Sequence, residues 1–147
     1  MKDWKSEVLD SPEMWPDKHI IELEESFQDD RGFIQMLVNT PIKNVTLIQS
    51  NKGAVRANHY HITDWHYMYM LEGKADYYFK QVDCDDDTEI IVWEKGQLIF
   101  TPPMEIHTTV FTEDSLFIAI SRNPRDQEAY EADVKRVQLV DPESIKV

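Results

Sequence analysis

The chain has 147 residues and a mass of 17.4 kDa, the size of one domain with a core of its own. Lys and Arg number 15 against 28 Asp and Glu, and the formal net charge of −13 excludes a general phosphate-backbone binder. Hydrophobic residues at 41% and aromatics at 11% exclude a disordered chain, and a single cysteine, Cys84, excludes an internal disulfide framework. That cysteine usage fits a reducing compartment. No apolar run follows Met1-Lys2-Asp3-Trp4, and none approaches the roughly 18 residues of a membrane span. The expectation is a cytoplasmic protein with neither nucleic acid nor membrane as a partner.

In chain order, residues 1–18, with Pro12 and Pro16, predict an extended N-terminal arm. Trp4 and Trp15 are its anchors on the body or on a neighbouring subunit. Residues 19–122 form the predicted barrel. Runs rich in β-branched and aromatic residues predict strands over 19–27, 33–38, 45–50, 54–57, 66–71, 74–82, 89–93, 97–100, 108–112 and 116–121. Asp29-Asp30-Arg31-Gly32, Asn51-Lys52-Gly53, Glu72-Gly73, Lys95-Gly96 and Pro102-Pro103 punctuate them as turns. The acidic run Asp83 to Asp87 is a solvated hairpin tip, since a calcium loop needs alternating acids and a distal Glu. Short strands without helices between them predict an antiparallel sandwich or barrel. Val45-Thr46-Leu47-Ile48 and Leu116-Phe117-Ile118-Ala119-Ile120 are apolar on both parities. They predict cover on both faces, by the barrel core inside and by a dimer interface or the arm outside. Residues 123–147 predict a short helix over 126–137 and a tail, with acidic residues leading the basic pair Lys135-Arg136.

Four of the five histidines form a pattern. His59 and His61 are two apart, so on an extended segment both imidazoles project from one face. A turn through residues 62–65 brings His66 onto the adjacent strand, and His107 arrives from a distant one. Neutral imidazoles packed this closely suit a divalent transition metal such as Zn, Fe, Ni, Cu or Mn. His19 has no such company and reads as structural or exposed.

The spacing Gly53, five residues, His59-Tyr60-His61, four residues, His66, six residues, Gly73 resembles the first motif of the cupins. Gly96, five residues, Pro102-Pro103-Met104, two residues, His107 resembles the second. The resemblance implies an all-β double-stranded β-helix, a jelly-roll barrel, with metal ligands His59, His61, His66 and His107. Three positions depart from it. His66 stands where the family usually has Glu, Met104 where it has Gly, and Phe111 where it has Asn. Met104 therefore predicts a turn that avoids a glycine-only conformation, and Phe111 predicts packing.

Asp30-Arg31-Gly32, Arg56 three residues before His59, and the ending Arg125 to Asp133 resemble deoxysugar-nucleotide 3,5-epimerases and 3,4-ketoisomerases. That resemblance implies a homodimer whose substrate is a small molecule of the sugar-nucleotide class. Arg56, with Arg31 as a second candidate, would hold phosphate, and His59 would remove a proton beside the sugar ketone. A coordinated His59 cannot take that proton, so Tyr69 represents the tyrosines able to act as acid or base. The alternatives are a metal-dependent dioxygenase or lyase of a small acid, and a non-catalytic ligand-binding cupin.

Overall fold

A computed structural model describes residues 12–145; Trp4 lies outside them. Its strands are β1 (Phe27–Asp29), β2 (Gly32–Ile34), β3 (Asn44–Ser50), β4 (Val55–His61), β5 (His66–Glu72), β6 (Lys74–Gln81), β7 (Glu89–Glu94), β8 (Leu98–Thr101), β9 (Glu105–Phe111), β10 (Ser115–Ser121) and β11 (Val134–Arg136), with one helix, α1 (Gln127–Asp133). β1 and β2 make a separate hairpin. The remaining strands form a four-stranded sheet in the order β3-β10-β5-β8 and a five-stranded sheet in the order β11-β4-β9-β6-β7. Every pairing is antiparallel, as expected where strands are joined by short turns. This is the jelly-roll barrel of the cupins.

Alternation explains the core. Met68 and Met70 of β5, Ala75 and Tyr77 of β6, Phe111 of β9, and Phe117 and Ala119 of β10 recur at period two and are buried between the sheets with Trp93 and Ile99. The opposite face of the four-stranded sheet is apolar as well. There Tyr67, Leu98, Phe100 and Ile120 pack with Trp65, and Trp15, Ile21, Leu23 and Val38 of the N-terminal segment lie against them. Of these, only Trp15 belongs to the expected arm; Ile21, Leu23 and Val38, which precede β3, complete the cover over the β5–β8 half of that face. At the β3 edge Val45 and Leu47 remain 61% and 63% exposed.

The expected strand over 19–27 shrinks to the bridge Ile20–Ile99 and the three residues of β1. Its hydrogen bonds run from Ile21 N to the Leu98 carbonyl and from Phe100 N to the His19 carbonyl, both 2.8 Å. The expected helix over 126–137 stops at Asp133. Asp126 caps its start by accepting from Ala129 N at 3.2 Å, and Val134, buried, turns the chain into β11 along the free edge of β4. Edge carbonyls and amides of β4 thereby gain partners that a longer helix would have left to water.

Candidate functional site

His59 and His61 end β4, His66 opens β5, and His107 lies near the start of β9. β4 and β5 belong to different sheets, so His66 comes from the facing sheet rather than from an adjacent strand. The turn over 62–65 crosses between the layers. The rings meet edge to face or stacked, with centroids 4.7 Å apart for His59–His107, 4.8 Å for His59–His61, 5.5 Å for His66–His107 and 5.6 Å for His61–His66. They line a cavity of ≈350 Å³.

A β-bulge aims two of the cavity's groups. Ala57 pairs with Thr108 but His59 pairs with His107, so Asn58 is an extra residue in β4. Arg56 opposes Thr109 and His59 opposes His107, and these two partners share one face of β9. Three residues apart in a regular strand, Arg56 and His59 would face opposite ways. The bulge turns both toward the cavity. Its backbone is left-handed at Ala57 (φ 74°) and Asn58 (φ 54°).

Neighbouring groups fix the rings. His61 Nδ1 lies 3.3 Å from Asp133 Oδ2. His107 Nδ1 lies 3.1 Å from the Glu105 carbonyl, a bond in which the ring N–H donates. Both rings then present Nε2 to the cluster, the arrangement that outer-shell partners impose on metal-ligating histidines. Asp133 also accepts from Thr63 N, Thr63 Oγ1 and Asp64 N at 2.8, 2.7 and 3.1 Å, which holds the inter-sheet turn. Burial alone would raise the Asp133 carboxyl, but these bonds leave it below its usual value.

Burial keeps the imidazoles neutral. It is the first cause that lowers His59 to about 2 and His107 to about 3, with neighbouring histidines adding to it. His66 is held well below its ordinary value by burial and then by the other rings. His61 is lowered by burial, with Asp133 opposing. Asp64, also buried, is pushed up to about 6 by desolvation despite the bond it accepts from Asn123 N at 2.9 Å.

Metal-capable atoms of His59, His61 and His107 lie within 4.8 Å of one another, as do those of His61, Asp64 and His66. Tetrahedral zinc with bonds of 2.0–2.1 Å places its ligands about 3.4 Å apart, so small ring movements suffice. Neutral imidazoles and a carboxylate are a fitting donor set. In such a set Asp64 would supply the anionic donor that the Glu-to-His departure at position 66 removes. The spacing His61-x-x-Asp64-x-His66 carried that signal in the sequence.

The remaining expected residues separate. Arg56 lines the cavity, with Nε donating to Ser50 Oγ at 2.7 Å and Nη2 to the Gln49 carbonyl at 2.9 Å, a tie between the two sheets. Arg31 does not reach it: on the β1–β2 turn it pairs with Asp29. Tyr69 does not either, because its register opposite Ile118 and Leu98 places it on the outer face of the sheet. The cavity instead holds Arg125 and Tyr130 from the C-terminal segment, with the guanidinium carbon 5.3 Å from the ring centroid. His19 is structural: its Nε2 lies 2.7 Å from buried Glu105 Oε1 and its ring lies against Phe79. Phe111 packs on Phe117 as expected. Met104 corrects its expectation, adopting φ 61°, in the left-handed region. Its amide donates to the His61 carbonyl at 2.7 Å, and that bond holds the turn in place.

Two sheets around an inward cluster of four histidines define a cupin-type barrel. The family model described as the polysaccharide biosynthesis C-terminal domain matches residues 27–131, and the chain belongs to that family. No curated protein sequence matches the chain. Among solved structures it is similar to the sugar 3,4-ketoisomerase QdtA from Thermoanaerobacterium thermosaccharolyticum in complex with TDP, at 20% identity and a TM-score of 0.64 over 80% of this chain and 85% of that one. It is similar to ChmJ, a 3′-monoepimerase from Streptomyces bikiniensis in complex with dTDP-quinovose, at 15% identity and TM-score 0.66 over 83% and 70%. It also resembles the capsular polysaccharide assembling protein CapF from Staphylococcus aureus, at 22% identity and TM-score 0.59, over 80% of this chain but 35% of that one. These likenesses establish the shared fold.

Proposed function

We propose that the chain is a metal-binding cupin acting on a nucleotide sugar, moving a proton next to a ketone as isomerases and epimerases do. The observation that carries this is one cavity holding four neutral imidazoles together with two guanidinium groups, Arg56 and Arg125. Structural neighbours in complex with TDP and dTDP-quinovose support the ligand class.

His61, Asp64 and His66 bring donor atoms within 4.8 Å of one another and would hold a divalent transition metal, with the buried His107 ring centroid 5.5 Å from that of His66. When bound, the ion supplies a Lewis acid for a carbonyl oxygen. His59 is the least buried of the four rings, and burial and its neighbours keep it unprotonated. It is free to accept the proton beside the ketone if it stays outside the metal set. Tyr130, with its ring centroid 6.4 Å from that of His59, stands where a hydroxyl can return a proton. Arg56 and Arg125 offer forked donors to the diphosphate of the carrier.

The exposed Phe27, Phe33, Ile34, Val45 and Leu47 favour a homodimer in solution, and the single cysteine favours the cytoplasm. Among the described residues no helix is long and apolar enough to cross a membrane.

The test is incubation with dTDP-4-keto-6-deoxyglucose in heavy water. Deuterium at C3 or C5 is expected. His59→Asn is expected to keep the metal and lose exchange, whereas loss of the metal would make His59 a fourth ligand. No exchange with any 4-keto sugar nucleotide, together with oxygen uptake by iron-loaded protein, overturns the reading in favour of a dioxygenase.

A further inference from the structure

Asn58 carries more polar contacts than any role as a spacer in the bulge requires. Its Oδ1 accepts from Thr108 Oγ1 at 2.6 Å, from Leu139 N at 2.9 Å and from Val140 N at 3.1 Å. Its Nδ2 donates to the Val140 carbonyl at 2.9 Å, and its own carbonyl accepts from Val137 N at 3.0 Å. One side chain therefore joins β4, β9 and the chain over 137–140. Asn tolerates the left-handed backbone found here better than most residues, because its short amide bonds locally.

Two parts of the site depend on this junction. The bulge brings Arg56 and His59 onto one face. The tail that Asn58 grips continues directly from β11, which pairs Arg136 with His59 and Val134 with His61. β11 in turn follows α1, whose Tyr130 lines the cavity and whose Asp133 orients His61. Loosening the tail loosens the wall that carries those groups.

We infer that Asn58 is a positioning residue of the site: its amide fixes the bulge that aims Arg56 and His59, and locks the C-terminal wall bearing Tyr130 and Asp133 against the histidine cluster. This rests on the site assigned above, but not on the identity of the substrate. Outer-shell contacts of this kind set ligand orientation, and their loss lowers metal affinity about 10–100-fold.

The experiment uses the full chain and three variants. Asn58→Gly keeps the left-handed backbone and removes all four side-chain bonds. Asn58→Asp keeps the three acceptor bonds. Ile91→Ala, partly buried against the core and outside the cavity lining, is a stability control. Zn²⁺ affinity is titrated calorimetrically, and amide exchange is followed over 137–140. Asn58→Gly is expected to bind Zn²⁺ about tenfold more weakly or worse and to exchange faster at Leu139 and Val140. Asn58→Asp is expected to recover most of the affinity, and Ile91→Ala to stay within about twofold of wild type while its urea midpoint falls. Wild-type affinity in Asn58→Gly, or an equal loss in Ile91→Ala, overturns the inference. Zn²⁺ binding by wild type without proton exchange on any keto sugar would sink the proposed reaction and leave this inference standing. Should wild type take up no Zn²⁺, the His59 ring ¹⁵N shifts are the readout: a change in Asn58→Gly alone upholds the inference, and no change overturns it.

Discussion

His66 belongs to the second of two donor sets, one built on His59, His61 and His107 and one on His61, Asp64 and His66, which share His61. Its ring faces both His61 and His107, and at 9% exposure it has little freedom to turn away. His66→Glu is therefore expected to retain metal, since a carboxylate at that place still points a donor at the cluster. His66→Ala is expected to lose most of it, and His19→Ala, whose ring serves Glu105, to match wild type by elemental analysis. Metal in His66→Ala at the wild-type level would make His66 a bystander. A second residue-scale expectation concerns Asp133, which holds Nδ1 of His61 and three groups of the 62–65 turn. Asp133→Asn replaces an acceptor oxygen by a donor facing groups that donate. It should weaken metal binding about 10–100-fold, measured by competition with a chelator, and an unchanged affinity would confine Asp133 to the turn.

Among the elements, the β5–β6 turn shows how backbone and packing together dictate a residue. Gly73 has φ 105°, and a Cβ there would meet the Asp114 carbonyl at 2.6 Å and run into the Ser115 side chain. Gly73→Ala is expected to destabilise by about 2–5 kcal/mol, the sum of a left-handed backbone penalty and an overpacked contact, read as a lowered urea midpoint. The strands were legible because their alternation is strong. The extents of β3, β5, β6, β7, β8 and β10 fall within a residue or two of those expected from periodicity. β4 and β9 were harder. Their histidine-bearing halves are polar, so hydrophobic pattern alone ended β4 at Ala57 and started β9 at Thr108, although the motif spacing still placed His59, His61 and His107 together. Asn58 was invisible for a related reason: nothing local marks a bulge whose partners lie about 80 residues away in the tail. Arg31 and Tyr69 were carried by resemblance or residue type, and only topology shows that neither reaches the cavity.

At the scale of the whole molecule, the cluster of neutral imidazoles makes stability depend on pH in a definite sense. In the unfolded chain a histidine takes up a proton near pH 6.5, whereas in the fold burial holds His59 and His107 down to about 2 and 3 and lowers His61 and His66 as well. A depressed pKa contributes stability that is complete above the unfolded value and is lost as pH falls from about 6.5 toward the folded values. Asp64 acts in the opposite direction. Raised to about 6, it favours the fold when protonated, and that contribution disappears as pH rises through 6. Four imidazoles against one carboxyl leave the histidines dominant. The unfolded chain therefore binds more protons than the fold below about pH 6.5, and stability is lost as the pH falls from 7 to 5. Urea midpoints of chelator-treated protein should therefore fall steeply over that interval. Zn²⁺ binds only the unprotonated rings, so saturating metal should raise the midpoint at pH 7 and shift the fall to lower pH. His107→Gln, which removes one of the four, should flatten the slope of the metal-free profile by about one proton. A metal-free midpoint that is constant from pH 7 to pH 5 would mean that the imidazoles take up protons in the fold as readily as in the unfolded chain, and that the cavity is wet rather than closed around them.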